Sequence, residues 1–175
     1  MRLQRAKRPG ATLVESAVVS PVVFLLLLGL LVGAAGIFRY QEMASLTRRA
    51  SRYASVHGTQ CAKDTNVPAA TPADVFNNVV LPNAVILDPS RLTCSVRYSG
   101  SNTPYQASVV NGQVVTTPAW PSASPPSTPY STSTVNGKVV ATANTVSVTL
   151  SYQWIPEVFL GGITLTSTSV MPMCY

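Results

Sequence analysis

The chain has 175 residues, enough for about one domain of ordinary size. Its 12 basic and 6 acidic residues give a net charge of +6, which can indicate a nucleic-acid-binding protein. However, eight of the bases precede Tyr53, and beyond it four bases face four acids. The distal bases are scattered and are not interleaved with aromatic residues, so the composition disfavours nucleic acid as a partner.

An uncharged apolar segment follows the basic N-terminal stretch. Twenty-three residues without charge separate Glu15 from Arg39, and the run 22–38 consists of Leu, Val, Gly, Ala, Ile and Phe. About 20 such residues span the core of a bilayer as a helix. The pattern therefore predicts a transmembrane helix at 11–38. The ten residues before it contain no acid, which favours a cytoplasmic N-terminus and a distal region outside the cytoplasmic membrane.

A secretory signal peptide is the alternative interpretation of this segment. Small residues at 33–36 could serve a signal peptidase. The segment is longer than the ~7 to 15 residues of a signal-peptide core, and Ile37 and Phe38 continue it past the small residues. Its length therefore favours a retained span over cleavage at 33–36.

One carboxylate, Glu15, lies at the start of the apolar segment. An ionised acid within a membrane helix is costly and usually has a partner or a function, whereas an acid solvated at the interface needs neither. If the chain were cut after Gly10, Ala11 would carry a free α-amine one helical turn from Glu15, on the same face. The carboxylate could pair with this amine or with that of a neighbouring subunit. Because an unpaired buried charge is expensive, such a pair would favour one axial register between packed helices.

The N-terminal pattern resembles that of a family of pilus proteins. A short basic leader that ends in Gly10, followed by four residues and Glu15, is the processing pattern of type IV pilins. The string GATLVESAVVSPVVFLLLLG, with Pro21 eleven positions after Gly10, resembles the TadE-like (TadE/TadG) pseudopilin family of the tight-adherence (Flp/type IVb) pilus assembly system. The stretches SLTRRASRYAS (45–55) and SVTLSYQWIPEVFLGGITLTSTSVMPM (147–173) resemble the family's helix after the span and its closing strands.

The resemblance implies a structural protein of pilus assembly, surface adhesion or secretion. A prepilin peptidase would remove the leader, residues 1–10, between Gly10 and Ala11. The mature chain would stay in the bacterial cytoplasmic membrane or enter a pilus, and its partners would be lipid, other pilin or pseudopilin subunits and the assembly machinery. Glu15 would set the register, and Pro21 would bend the helix because proline lacks the backbone N–H. Ala11 stands where many type IV pilins have phenylalanine, so N-methylation is not implied.

After the span, the pattern predicts an amphipathic stem helix at 39–57. In RYQEMASLTRRASRYAS (39–55) most apolar residues recur at spacings of three and four, and the arginines lie outside this stripe. Gly58 is expected to end the helix. The arginines form either a face that is solvated or bound to lipid headgroups, or an interaction surface.

The remaining residues, 58–175, predict a β-rich head. ADVFNNVVLP (73–82) has helical spacing, whereas RLTCSVRYS (91–99) alternates as a half-buried strand does. The related strings SVVNGQVVTT (108–117) and STVNGKVVAT (133–142) each place Asn-Gly between β-branched residues, which predicts two hairpins.

The end of the chain completes the predicted sheet. Five prolines within 118–129 predict an extended loop, in which Trp120 either packs on the sheet or contacts a partner. TVSVTLSYQW (145–154) and ITLTSTSV (163–170) alternate as strands. The predicted fold class is α+β, with a long N-terminal transmembrane helix that extends into a stem and an antiparallel β-sheet head, as in type IV pilins.

Candidate chemistry in the head is sparse. Two of the three cysteines, Cys61, Cys94 and Cys174, could form a disulfide that adds about 2 to 4 kcal/mol, with all three pairings open. The absence of CxxC and the single histidine, His57, predict no metal site and no cofactor. No phosphate-binding glycine loop, GxSxG motif or paired carboxylates occur, so the sequence predicts no enzyme.

Two other functions fit the same segments. An uncleaved single-pass anchor could present the β-rich head to an extracellular partner, and its N-terminus would remain Met1. A secreted protein with an ordinary signal peptide would begin near Ile37. The mature N-terminus therefore distinguishes both from the pilin-like protein, which would begin at Ala11.

Overall fold

The protein folds as two compact units, Met1–Phe38 and Arg39–Tyr175. The computed structural model describes residues 9–58, 61, 64–66, 69–99, 104–117, 129–156 and 161–174. A long apolar N-terminal helix is followed by antiparallel β-structure, which confirms the predicted α+β class. The finer division into leader, span, stem and head stays a prediction.

Helix α1 covers Pro9–Val56, 48 residues, and Pro21 lies inside it. From Leu13 onward it is long and apolar enough to cross a membrane, with a mean hydropathy of 2.6 in its most apolar window. In the first unit nearly all described side chains of α1 are exposed, including the leucines of the apolar run. No residue of that apolar window is buried within the protein. Apolar surface of this extent needs lipid or other helices to cover it.

The second unit contains the remaining helices and all described strands. A helical segment consists of α2 (Pro72–Val75), a π-helical turn (Phe76–Val80) and α3 (Leu81–Asn83). This confirms the helix predicted at 73–82. The side chain of Thr71 caps α2 by accepting from the backbone N–H of Asp74, whose carboxylate accepts from the N–H of Thr71. This reciprocal capping box explains why the helix begins here.

The strands form two antiparallel sheets. The larger one has the order β3-β2-β1-β6-β7, and the smaller one pairs β4 with β5. The strand bounds are β1 Leu92–Tyr98, β2 Tyr105–Val110, β3 Gln113–Thr117, β4 Tyr130–Val135, β5 Lys138–Ala143, β6 Thr145–Trp154 and β7 Ile163–Pro172. The strands expected at 91–99, 145–154 and 163–170 are therefore confirmed.

The core of the second unit lies on one face of the large sheet. Alternate residues of β1 and β6 are buried, as the period of two requires. The apolar stripe of α1 packs here: Met43, Leu46, Ala50 and Ala54 are at most 2 % exposed. Next to that stripe, Ser51 Oγ lies 2.8 Å from Ser169 Oγ of β7. The last part of α1 is therefore an integral part of the β-rich unit.

Both Asn-Gly hairpins have the predicted turn geometry. Asn111 and Gly112 have φ of 51° and 77°, and Asn136 and Gly137 have φ of 52° and 73°. Two consecutive positive φ values give the type I′ turn that suits the twist of a hairpin. The β2–β3 hairpin joins the large sheet, whereas every residue of β4 and β5 is exposed. The other predicted loop, with Trp120, lies outside the described residues except for Pro129.

Asn144 connects the exposed β4–β5 hairpin to the large sheet. Its side-chain oxygen accepts hydrogen bonds from Ser131 Oγ at 2.7 Å and from Ser99 Oγ at 3.2 Å. Its backbone N–H donates to the Pro129 carbonyl, and its own carbonyl accepts from Met173 N–H. With 5 % exposure, Asn144 fixes the point where the chain passes from β5 to β6.

Candidate processing and assembly site

The predicted cleavage position lies in the first turn of α1. Pro9 begins the helix, and Gly10 is exposed. Among the described residues, no heavy atom lies within 4 Å of the place where a Cβ at Gly10 would stand. The packing of the described residues therefore gives no reason for glycine at this position. The basic residues of the predicted leader, at 1–8, lie outside the described residues.

Glu15 is exposed and lies one helical turn beyond Ala11. In α1, positions 11 and 15 share a face and are separated by about 6 Å along the axis. Within the described part of the chain, Glu15 has no ion-pair partner. A shallow groove beside it is lined by Ser16, Val19, Ser20, Val23 and Phe24. The carboxylate is thus available to a group supplied by cleavage or by another chain.

Pro21 lies within α1, six residues beyond Glu15. It has no N–H to donate to the carbonyl of Ala17, so one intrahelical hydrogen bond is missing. The helix nevertheless continues to Val56. The bend expected at Pro21 stays a prediction.

The three cysteines have different surroundings. Cys94 lies in β1 and is fully buried, whereas Cys61 is half-buried and Cys174 is exposed. All three are free thiols in this structure. Burial raises the pKa of Cys94 to about 12, so its thiol is protonated at neutral pH. Cys174 lies near the end of α1, where its N–H donates to the Ser55 carbonyl at 3.1 Å. The disulfide prediction is not tested by these positions.

His57 lies directly after the last residue of α1. Its Nδ1 is 3.0 Å from the Tyr53 carbonyl, and its ring stacks on the Tyr53 ring with 4.0 Å between centroids. These contacts fix the imidazole against Tyr53 at the helix end, so they give His57 a structural role. Among the described residues, no three side chains of the His, Cys, Asp and Glu types lie together as a metal site requires.

Two contacts of α1 were not predicted from the sequence. The Glu42 carboxylate accepts from the backbone N–H groups of Val85 and Ile86, and the Arg39 guanidinium lies 5.2 Å from the centroid of the Trp154 ring. The local sequence pattern does not identify a partner for Glu42. Its position as the one acid of the segment 39–57 was a signal that it has a specific partner.

Comparison with known proteins finds a family that matches the N-terminal part of the chain. The family described as "TadE-like protein" matches residues 10–52. This range begins at Gly10, includes Glu15 and Pro21, and ends within α1. The match confirms the resemblance inferred from the N-terminal pattern, and it does not extend to the strands. No curated protein and no solved structure matches the chain.

Proposed function

From the TadE-like character of residues 10–52, we propose that this protein is a pseudopilin-like structural component of a tight-adherence (Flp/type IVb) pilus or a related secretion apparatus. It is made as a precursor, and a prepilin peptidase removes residues 1–10. The helix at 11–38 then holds it in the cytoplasmic membrane, with residues 58–175 as a head on the outer side. The chain acts by assembling with other subunits, as the substrate of an enzyme and not as a catalyst.

The main support for this proposal is that the family match covers an apolar helix whose side chains are exposed. Leu25, Leu26 and Leu30 are each 70 or 71 % exposed. Such a surface is unfavourable in water and favourable in lipid or against similar helices. A pilin-like subunit meets both surroundings, first the membrane and then the helices of its neighbours.

Glu15 sets the axial register in this proposal. Removal of the leader creates an α-amine at Ala11, and the amine of one subunit pairs with Glu15 of the next. Inside a bundle of apolar helices, a charge without its partner is strongly destabilising. Only the register that joins the two charges is then stable. Pro21 adjusts the direction of the helix, and the β-rich head supplies contacts for assembly and adhesion.

The mature N-terminus tests this function. The protein is isolated from membranes of its native host, and its N-terminal peptide is identified by mass spectrometry. We expect the chain to begin at Ala11. Gly10→Leu should leave the precursor uncut, because a side chain at this position obstructs the peptidase. Gly29→Leu is the matched control, since Gly29 is also exposed on α1 with no neighbour within 4 Å among the described residues.

The other outcomes identify different functions. An intact Met1 would mean an uncleaved anchor that presents its head to an extracellular partner. A start near Ile37 would mean a secreted protein with an ordinary signal peptide. Either result rules out the prepilin pathway, as does normal processing of the Gly10→Leu variant.

A further inference from the structure

The turn of α1 from Arg39 to Glu42 binds an exposed apolar loop that contains Val85 and Ile86. The Glu42 carboxylate accepts from the N–H groups of Val85 and Ile86, the latter at 3.1 Å. Hydrogen bonds to a charged acceptor are among the stronger ones, so they fix this backbone. In the fixed conformation Val85 is 86 % exposed and Ile86 is 53 % exposed. The protein therefore uses its own contacts to keep two apolar side chains on the surface.

The same turn of α1 contacts a second site with exposed apolar residues, at the end of β6 and the start of β7. The Arg39 guanidinium lies over the ring of Trp154, at the end of β6, with 5.2 Å to the ring centroid. Trp154 pairs with Ile163 at the start of β7. Ile155, which follows Trp154, is 49 % exposed, and Ile163 is 48 % exposed. Exposed isoleucines therefore lie next to Trp154, one along the chain and one across the β6–β7 pair.

The position of this turn in the chain indicates where the loop with Val85 and Ile86 and the residues beside Trp154 lie relative to a membrane. Arg39 directly follows Phe38, the last residue of the uncharged segment, and Glu42 lies only about 4.5 Å further along the helix axis. The headgroup regions of a bilayer extend roughly 5 to 8 Å beyond each side of its hydrocarbon core. If the segment 16–38 crosses the membrane, the turn Arg39–Glu42 lies at headgroup level.

The side chains at this turn have the character of a membrane interface. Arg39 suits this level, because an arginine can bury its aliphatic stem while its charged end reaches the headgroups. Among the described residues, the buried Nε of Arg39 has no hydrogen-bond partner. The Arg39 side chain as a whole is half-buried, so its charged end can still reach lipid phosphates at headgroup level.

We propose that Val85, Ile86, Ile155 and Ile163 form an apolar collar that enters the outer-leaflet interface of the membrane that α1 spans. The inference rests on the proposed membrane span. The collar makes the lipid surface a partner of the β-rich unit, and it fixes the height of that unit above the bilayer. During extraction of the subunit, the collar must leave the lipid together with the helix.

Spin labels on the full chain test the collar. The protein is placed in vesicles of phosphatidylethanolamine and phosphatidylglycerol, with Cys61→Ser and Cys174→Ser. The fully buried Cys94 is retained. A nitroxide is attached at Val85→Cys, and its collision rates with oxygen, which concentrates in lipid, and with a water-soluble nickel chelate are measured. Val139→Cys is the matched control, because Val139 is 72 % exposed on β5. Leu26→Cys reports on the span itself.

We expect the oxygen-to-nickel ratio at Val85 to be several-fold above that at Val139 and below that at Leu26. Adding Glu42→Ala should lower the ratio at Val85, because the loop loses its acceptor. Equal ratios at Val85 and Val139, with a lipid value at Leu26, overturn the collar and leave the span intact. A label at Val85 that neither reagent reaches means that a protein covers the loop, which also overturns the proposal. Access of the nickel chelate to Leu26 would contradict both the proposed span and the proposed collar.

Discussion

Glu15 is the residue on which the proposed assembly depends. It is exposed on α1 and has no ion-pair partner in the described part of the chain. Helix geometry places it on the same face as position 11, and no described cation lies in an ion pair with it. In the proposed function, its partner is the amine created by processing or a group brought by another subunit.

The first prediction concerns Glu15→Ala. We expect cleavage after Gly10 to continue, because the peptide bond is unchanged, and incorporation into assembled material to fall by at least about 100-fold. A fall of this size corresponds to the roughly 3 to 5 kcal/mol lost when one partner of a buried ion pair is removed. The measurement is the amount of subunit recovered with sheared pili or in cross-linked complexes.

The control for this prediction is the neighbouring variant Ser16→Ala, which keeps the carboxylate. Glu15→Gln separates charge from size, and it should behave as Glu15→Ala does. Full incorporation of either Glu15 variant would contradict the proposed ion pair.

Cys94 gives a second prediction at the residue scale, on the pH dependence of stability. Burial raises the pKa of this thiol from 9.0 to about 12. Between these values the unfolded chain loses the proton while the folded chain keeps it, so the free energy of unfolding falls as the pH rises above 9. The expected loss from Cys94 is about 1.4 kcal/mol at pH 10.

Urea unfolding of the full chain in detergent micelles at pH 8 and pH 10 measures this loss. Tyr98, whose pKa burial also raises, adds a smaller loss that persists in Cys94→Ala. The difference between the two pH values should therefore be clearly smaller in Cys94→Ala than in the unmodified chain. Equal differences would mean that the thiol is not shielded from solvent.

At the scale of the elements, the two Asn-Gly hairpins have the same local geometry and different surroundings. Both turns use consecutive positive φ values. The β2–β3 hairpin continues the large sheet through β1, whereas β4 and β5 pair only with each other. Local sequence therefore decides the turn, and contacts with other elements decide how much the turn contributes to global stability.

The third prediction compares glycines in these turns. Gly112→Ala should lower the free energy of unfolding by about 1 to 2 kcal/mol, because a Cβ disfavours positive φ. An added Cβ at Gly112 or Gly137 meets no described atom within 4 Å, so the cost comes from the backbone alone. Gly137→Ala should affect global unfolding less, since its hairpin forms a separate sheet.

Urea titration measures the effects of both glycine substitutions. Gly112→Asn is the control, because asparagine tolerates the left-handed region and should recover most of the lost stability. Equal stability of Gly112→Ala and the unmodified chain would show that this turn does not constrain the fold. An equal loss in Gly137→Ala would show that β4–β5 unfolds together with the large sheet.

At the scale of the whole molecule, the boundary between the two units falls inside one helix. The second unit begins at Arg39 and includes the part of α1 whose apolar stripe, from Met43 to Ala54, is buried. The end of α1 at Val56 is therefore not a boundary between independent parts. The strands of the large sheet need this amphipathic helical surface to cover their apolar face.

The fourth prediction concerns two truncations. A fragment of residues 39–175 should be folded and soluble, because it lacks the exposed apolar helix and keeps the core. A fragment of residues 59–175 should aggregate or remain unfolded, because Met43, Leu46, Ala50 and Ala54 are missing. Circular dichroism and gel filtration check both, and a folded fragment 59–175 would contradict the packing described for α1.

The sequence by itself determined the features that depend on neighbouring residues. The apolar run sets the possible span, the spacing from Gly10 to Glu15 sets the shared helix face, and Asn-Gly sets the hairpin turns. Alternation likewise predicted β1, β6 and β7, because a half-buried strand has a period of two. These properties follow from short-range geometry, so no knowledge of the rest of the chain was needed.

Only the tertiary structure decided which distant groups meet. Glu42 contacts a loop 43 residues away, and Asn144 joins Ser99 to Ser131. The contact between Arg39 and Trp154, and the separation of β4–β5 from the large sheet, were also absent from the local patterns. Such contacts depend on how the strands and α1 share one core, because a single polar or aromatic residue does not specify its partner along the chain.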